Sequence, residues 1–153
     1  MTSVVIRTSG MLPFTCEQAF DVAADIEHYP EFLKGWISAR IQSRESNTCC
    51  VDQVVGIGPL RLQFMSRAVL YRPVRIEVTS TQVPFRLFSL SWLIAAALPA
   101  GCRVSVVANI ELQSRMTQWM VNGILPGMID DVITAFEARA RRLYPSASPV
   151  GTP

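Results

Sequence analysis

The sequence is short of charge. Acidic and basic residues fill 17 % of its 153 positions against 50 % hydrophobic ones, and the mean hydropathy is +0.28, whereas an ordinary globular domain carries about 25 % charged residues. Histidine is scarcer still: His28 stands alone, which excludes a histidine-rich metal centre. Cys16, Cys49, Cys50 and Cys102 show neither C-x-x-C nor metal-ligand spacing and read as small buried hydrophobes. A net charge of +2 argues against DNA as a partner. There is no glycine-rich phosphate loop and no pair of groups to complete a triad with His28, so no catalytic residue, metal or cofactor is expected. A long hydrophobic run is missing too. The longest uncharged stretch, residues 87–102, is broken by Pro99 and Gly101 and falls short of the roughly 18 to 20 residues of a membrane-spanning helix. The start, "MTSVVIRTSG", lacks the basic and apolar regions of a secretory signal. The expectation is a cytoplasmic chain, or one peripheral at the inner face of a membrane, that encloses or touches something apolar beyond its own core.

What is present has a clear order. Residues 2–9 are β-branched and suit a first strand. Thr15 and Gln18 form a capping box with Phe14 ahead of it, and Ala19, Phe20, Val22, Ala23 and Ile26 follow helical spacing. Pro30 separates "YPEFL" as a turn or short helix. From Ile37 the period changes to two: Ile37, Ala39 and Ile41 alternate with polar residues, and "CCVDQVVGI" follows a turn. Leu60, Leu62, Phe64, Ser66, Ala68 and Leu70 share one face, as do Val74, Ile76 and Val78. Residues 85–97 are apolar on both faces, and Val104, Val106, Ala108 and Ile110 alternate again. Residues 114–144 return to helical spacing, with a kink expected at Pro126. Successive strands joined by short turns predict an α+β domain over residues 1–145, an antiparallel meander whose dry face the last helix covers, followed by a flexible tail at 146–153.

"YPEFL", "FMSRAVL", "VPFRLFSLSW", "GCRVSV" and "AFEARARRLY", in that order over nearly the whole chain, resemble the coenzyme Q binding protein family. That family is part of the START-related superfamily, which includes polyketide cyclases and the bacterial ribosome-association toxin. The resemblance implies a helix-grip fold, a curved antiparallel sheet of six to seven strands around the long C-terminal helix, with an apolar tunnel between them. It implies a carrier or chaperone for ubiquinone or a related prenyl lipid. Two other activities stay open: polyketide cyclase or dehydratase, and ribosome-associated interaction protein. Two departures fall near the tunnel mouth, with Lys34, Gly35 and Trp36 where the family commonly has Pro-Trp-Cys, and Val83 where many members have glycine.

With a tunnel in view, the crowded stretch "DIEHYPEFLKGW" reads as a flap: Tyr29, Phe32 and Trp36 as gate, Leu33 as core plug. Strand parity places Leu62, Phe64, Trp92 and Val106 on the inner wall, with Ser66 able to hydrogen-bond a head-group oxygen. Opposite them the last helix offers Trp119, Met120, Ile124 and Met128, the methionines suiting an adaptable pocket. His28 reads as surface decoration. Arg139, Arg141 and Arg142 complement the negative helix end, the alternative being a patch for anionic lipid or ribosomal RNA phosphates.

Overall fold

The computed structural model describes residues 4–97 and 100–145; the expected tail at 146–153 lies outside them. Seven antiparallel strands form one sheet: β1 (Val4–Leu12), β2 (Trp36–Glu45), β3 (Thr48–Ile57), β4 (Leu60–Tyr71), β5 (Arg75–Ser80), β6 (Phe85–Ala96) and β7 (Cys102–Leu112). Their order across the sheet is β1-β7-β6-β5-β4-β3-β2. All neighbours from β2 to β7 are hairpin partners, and β1 closes the far edge against β7. Between β1 and β2 come α1 (Cys16–Ala24), a single 3-10 turn at Ile26–His28 and α2 (Tyr29–Phe32). The C-terminal part is helical from α3 (Arg115–Asp130) through α4 (Val132–Leu143), lying along the concave face. This is the helix-grip arrangement.

Local signals account for the boundaries. Thr15 Oγ1 accepts from Gln18 N at 3.0 Å and Gln18 Oε1 accepts from Thr15 N at 3.1 Å, so the capping box starts α1 as expected. Pro30 occupies the first turn of α2, where its missing amide costs nothing. Ser114 caps α3. Helix continues through Pro126, and the interruption falls at Asp131, whose amide turns to Ile129 O. The break is therefore displaced from the position that the proline suggests.

Parity on the strands matches expectation over β4 and β7 and at Ile76 and Val78 of β5, whereas Val74, expected beside them, precedes the strand at 54 % exposure; it fails at two of the sheet's register shifts. Between Trp36 and Ser38 an extra residue sits opposite β3, which turns Trp36 inward and leaves Ile37 outside at 41 % exposure. Ile37 therefore does not share the inner face with Ala39. The second bulge, between Phe85 and Leu87, puts Arg86 in solvent while Phe85 and Phe88 both point in. Strict alternation back from Trp92 would have buried the Arg86 guanidinium without a partner, which costs far more than one lost ladder pairing.

Helix phase differs from expectation more broadly. The buried stripe is Gln118, Val121, Leu125, Ile129, Val132, Phe136 and Ala140. Phe136 stacks on Trp92 with ring centroids 5.2 Å apart. Trp119, expected on the inner face, stands outside at 77 % exposure, as does Met116 at 75 %. Gln118 pins the first turn of α3 to the end of β7, its Oε1 accepting from Leu112 N at 2.5 Å and its Nε2 donating to Ile110 O at 3.3 Å. A second tie holds α1, where Arg72 bridges Glu17 at 2.8 Å and Asp21 at 2.6 Å above the Phe20 ring.

Gly101 turns the chain into β7 at φ +100°, and a Cβ there would collide with the Leu12 carbonyl. Gly101→Ala adds a left-handed-region penalty to a backbone clash and should cost roughly 2–4 kcal/mol, a fall of about 5–15 °C in thermal midpoint. Gly123, in the interior of α3 with nothing within 4 Å of its Cβ position, is the control: Gly123→Ala should raise stability by about 0.5–1 kcal/mol. Equal effects from both would contradict the packing described at Gly101.

Candidate functional site

Strand parity, helix phase and the two bulges together decide what faces the space between sheet and helix. The enclosed void there is small, about 20 Å³, room for roughly one water molecule. Its wall is apolar: Trp36, Val55, Phe88, Ala108, Leu125 and Met128 are among the residues that form it. The open tunnel implied by the family resemblance is therefore closed in this structure, because Leu125 and Ile129 pack down onto the sheet.

Met128 lines this void. It also lines a surface groove of about 340 Å³ with Phe32, Lys34, Asp131 and Ala135, so one unbranched side chain stands between the interior and the groove. Its methyl group rests where a Cβ on residue 35 would be, and only glycine, here at φ +96°, permits both that contact and the turn into β2. Gly35 O also accepts from Gly56 N at 2.7 Å, fixing the rim. The gap at Asp131 falls beside the same groove.

One polar chain crosses the apolar face close to the void. Trp36 Nε1 donates to Gln53 Oε1 at 3.1 Å, Gln53 Nε2 donates to Ser66 Oγ at 2.6 Å, and Ser66 donates to Val51 O at 3.1 Å. Gln53 and Ser66 are 2 % and 3 % exposed. Each partner fixes the next, which leaves one amide N–H of Gln53 uncommitted. Gln53 escaped the sequence reading, although its parity with Val51 and Val55 marks it as inward.

The flap divides differently from expectation. Tyr29, expected at the gate, is a buried pillar at 1 % exposure, edge-on to Phe32 and Trp36 at 5.9 Å each, with its hydroxyl donating to Ala23 O. Burial pushes its phenol well above the ordinary tyrosine value. Leu33 is buried beneath it. Phe32 lies half-buried at the groove, and Arg139 packs over its ring while bonding Glu31 at 3.1 Å. Arg141 pairs with Glu137 at 2.5 Å. Two of the three clustered arginines thus serve local ion pairs. On the sheet, Leu62, Phe64, Trp92 and Val106 are all buried on the concave face, but Trp92 packs with Tyr29 and Phe136 and does not line the void. Phe64 supports the wall through Phe88 at 4.8 Å. Ile124 is half-buried beside Gly58, and Met120 and Trp119 face outward. The structure brings Trp36 and Met128 to the void; Val55, Phe88, Ala108 and Leu125 are among the residues that join them there from positions to which the sequence assigned no site role.

Outside the flap, His28 Nδ1 lies 2.7 Å from Asp25 and Nε2 lies 3.7 Å from Glu31. The hydrogen bond to Asp25, and then its charge, raise the histidine above 6.5. A raised value means that the interaction stabilises fully below the unfolded pKa and fades as pH rises through the folded one. In an NMR titration His28 should give a midpoint above 6.5 that Asp25→Asn lowers; a midpoint indifferent to Asp25 would dismiss the contact. For the polar chain, Gln53→Leu orphans the Trp36 N–H and should cost about 1–3 kcal/mol, most of it recovered when Trp36→Phe and Ser66→Ala are added. Failure of the triple variant to recover would mean that Gln53 acts by packing alone.

Comparison with known proteins gives the fold its family. Residues 12–137 match the family described as polyketide cyclase / dehydrase and lipid transport. The ribosome association toxin RatA of Pseudomonas aeruginosa is 27 % identical over 143 residues, 93 % of this chain and 99 % of that one. The mitochondrial coenzyme Q-binding protein COQ10 homolog B of Xenopus laevis is 21 % identical over 141 residues, 89 % of this chain and 57 % of that one. Among solved structures, the Zhui aromatase/cyclase from Streptomyces sp. R1128 superposes with a TM-score of 0.83 at 11 % identity, over 97 % of this chain and 100 % of that one. By the extent of the family match, the chain belongs to the polyketide cyclase / dehydrase and lipid transport family.

Proposed function

We propose that the chain binds a hydrophobic small molecule between sheet and C-terminal helix, a prenylated quinone such as ubiquinone or a related lipid, admitted past Met128. The observation that carries this reading is the position of Met128, shared between the apolar void and the surface groove beside Phe32. Methionine is the side chain best suited to such a seam, since three soft torsions let it swing without a steric cost. Once α3 moves off the sheet, each methylene of a prenyl chain gains about 0.8 kcal/mol on burial, so no charged anchor is needed. The uncommitted amide N–H of Gln53 suits a carbonyl oxygen of the head group, with Trp36 as a flat neighbour for a ring.

Binding without chemistry suits this interior better than acid–base catalysis. Among the described residues the buried polar side chains are Gln53, Ser66, Ser80 and Gln118, none of them an acid or histidine, and the Tyr29 hydroxyl is committed to Ala23 O. A second reading, association with the ribosome, is favoured by the similarity to RatA over nearly the full length of both chains. The engagement of Arg139 and Arg141 with Glu31 and Glu137 weakens it, because it takes two cations from the expected phosphate patch.

The test is organic extraction of gently purified protein with mass spectrometry, followed by titration of the emptied protein with decylubiquinone, read by quenching of the buried tryptophans. A stoichiometric quinone or lipid, and saturable quenching, are the expected results. Met128→Lys, whose longer chain can reach water from this half-buried site, should weaken quinone binding by about tenfold or more while the far-ultraviolet circular dichroism stays unchanged. Undiminished affinity in that variant would remove the Met128 route. Protein that holds and takes up no apolar ligand, yet sediments with large ribosomal subunits in a salt-dependent manner, would replace the carrier reading by the ribosomal one.

A further inference from the structure

Helix α3 is apolar on two opposite sides. Val121, Leu125 and Ile129 are buried against the sheet, whereas Met116 and Trp119 point away from it at 75 % and 77 % exposure. From residue 116 to residue 129 the helix carries no charge, so the outer side, where Asn122 is the exposed polar residue, has little of the polar cover that a helix facing water normally shows. The exposed apolar surface extends beyond the helix. Val83, 67 % exposed in the β5–β6 turn, sits at the same end of the sheet, where Pro84 O accepts from Gln113 N at 3.0 Å just ahead of α3. On the far flank Met120, Gly123 and Ile124 line a shallow groove with Trp119.

Two arginines and one glutamate gather beside Trp119. An open cleft of about 680 Å³ runs along the helix, walled by Arg86, Arg115, Glu111, Trp119 and Asn122. Both arginines are exposed. The bulge that sends Arg86 outward aims it at this cleft, and Glu111 offsets one of the two positive charges.

We infer that this end of the molecule docks on the surface of an anionic phospholipid bilayer. Met116, Trp119 and Val83 enter the interfacial layer, and Arg86 and Arg115 receive headgroup phosphates in the cleft. A tryptophan at a membrane interface places its ring among acyl chains and its N–H among polar headgroups, which water on all sides does not offer. Guanidinium groups flanking such a ring match phosphate geometry. Three exposed apolar side chains, Met116, Trp119 and Val83, stand beside only two arginines and a glutamate, a balance that suits a lipid interface better than the backbone of a nucleic acid, where many cations are needed. This surface is separate from the interior cavity and does not depend on what that cavity binds. The two share α3, however, and a helix held at a bilayer on one side while covering an apolar void on the other would let a lipid pass between them without crossing water.

The test uses the full chain with vesicles of phosphatidylglycerol and phosphatidylcholine in equal parts, and with vesicles of phosphatidylcholine alone. The wild type should float with the mixed vesicles, bind the neutral ones more weakly, and shift its tryptophan emission to the blue. That shift reports Trp119, since Trp36 and Trp92 are already buried at 8 % and 0 % exposure. Trp119→Ser, at a position whose exposure spares the fold, should keep the thermal midpoint and weaken vesicle binding roughly tenfold. Arg86→Gln and Arg115→Gln should each weaken it about fivefold, less so in high salt. Wild-type protein that ignores mixed vesicles, or Trp119→Ser protein that binds as well as wild type, would overturn the proposal. So would self-association in vesicle-free solution, or ribosome binding, that Trp119→Ser abolishes, since either would give this face another occupant. Decylubiquinone titration of Trp119→Ser separates the two readings: intact quinone binding with lost vesicle binding isolates the docking surface.

Discussion

Everything in this molecule follows from a sheet with one dry face and no second sheet to cover it. Most of the seven strands alternate apolar and polar residues, and the apolar set converges on a concave surface that the C-terminal helical run is long enough to close. The helix must therefore lie along the sheet, and its approach is set by small residues opposite it. Gly10 faces Ile133, Gly58 faces Ile124 and Gly35 faces Met128, each where a Cβ would collide with the helical side chain. Burying the stripe from Val121 to Ala140 supplies the hydrophobic term, while Gln118 at one end and Arg139 at the other fix the register by hydrogen bonds to β7 and to Glu31.

How much of this was legible depended on whether polarity marked the faces. On β4 and β7 it did: Leu62, Phe64, Ser66 and Val106 lie where a period of two puts them, because each alternates with a polar or charged neighbour such as Arg61, Gln63 or Ser105. The capping box at Thr15 was legible for a similar reason, being a local chemical pattern that needs no tertiary context. On β2 the alternation of Ile37, Ala39 and Ile41 was misleading. Trp36 has more area to bury than Ile37 and an N–H that Gln53 can satisfy, and one inserted residue lets the larger side chain win. On α3 the sequence offered no charge to mark the wet side between Arg115 and Asp130. Two apolar stripes were available, and the polar marker nearest the core, Gln118, is buried because it has backbone partners there. Periodicity identifies a helix from spacing alone, but it fixes the phase only where polar residues mark one side.

The same lack of charge in α3 connects the interior with the exterior. A helix that packed its only apolar stripe inward would be a plain lid. This one has apolar residues on both sides and a proline and glycine near its end, and its hydrogen-bond ladder is broken at Asp131 beside the groove that Met128 closes. Its hold on the sheet comes from side-chain packing and one glutamine rather than from ion pairs, and packing of this kind is lost gradually as a helix shifts, whereas a buried ion pair resists any separation.

Under the proposed binding, a void of one-water size is the form that the empty interior should take. Apolar walls around an empty cavity of several hundred Å³ would forfeit the dispersion contacts that hold the helix down, so a chain without its ligand gains by letting Leu125 and Ile129 settle on the sheet. A ligand restores those contacts from inside and displaces the helix only as far as its own surface replaces what was lost. The cost of opening then falls on Gln118, whose bonds to β7 an apolar chain cannot replace, whereas Gln53 and Trp36 both lie on the sheet and stay bonded to each other as the helix moves.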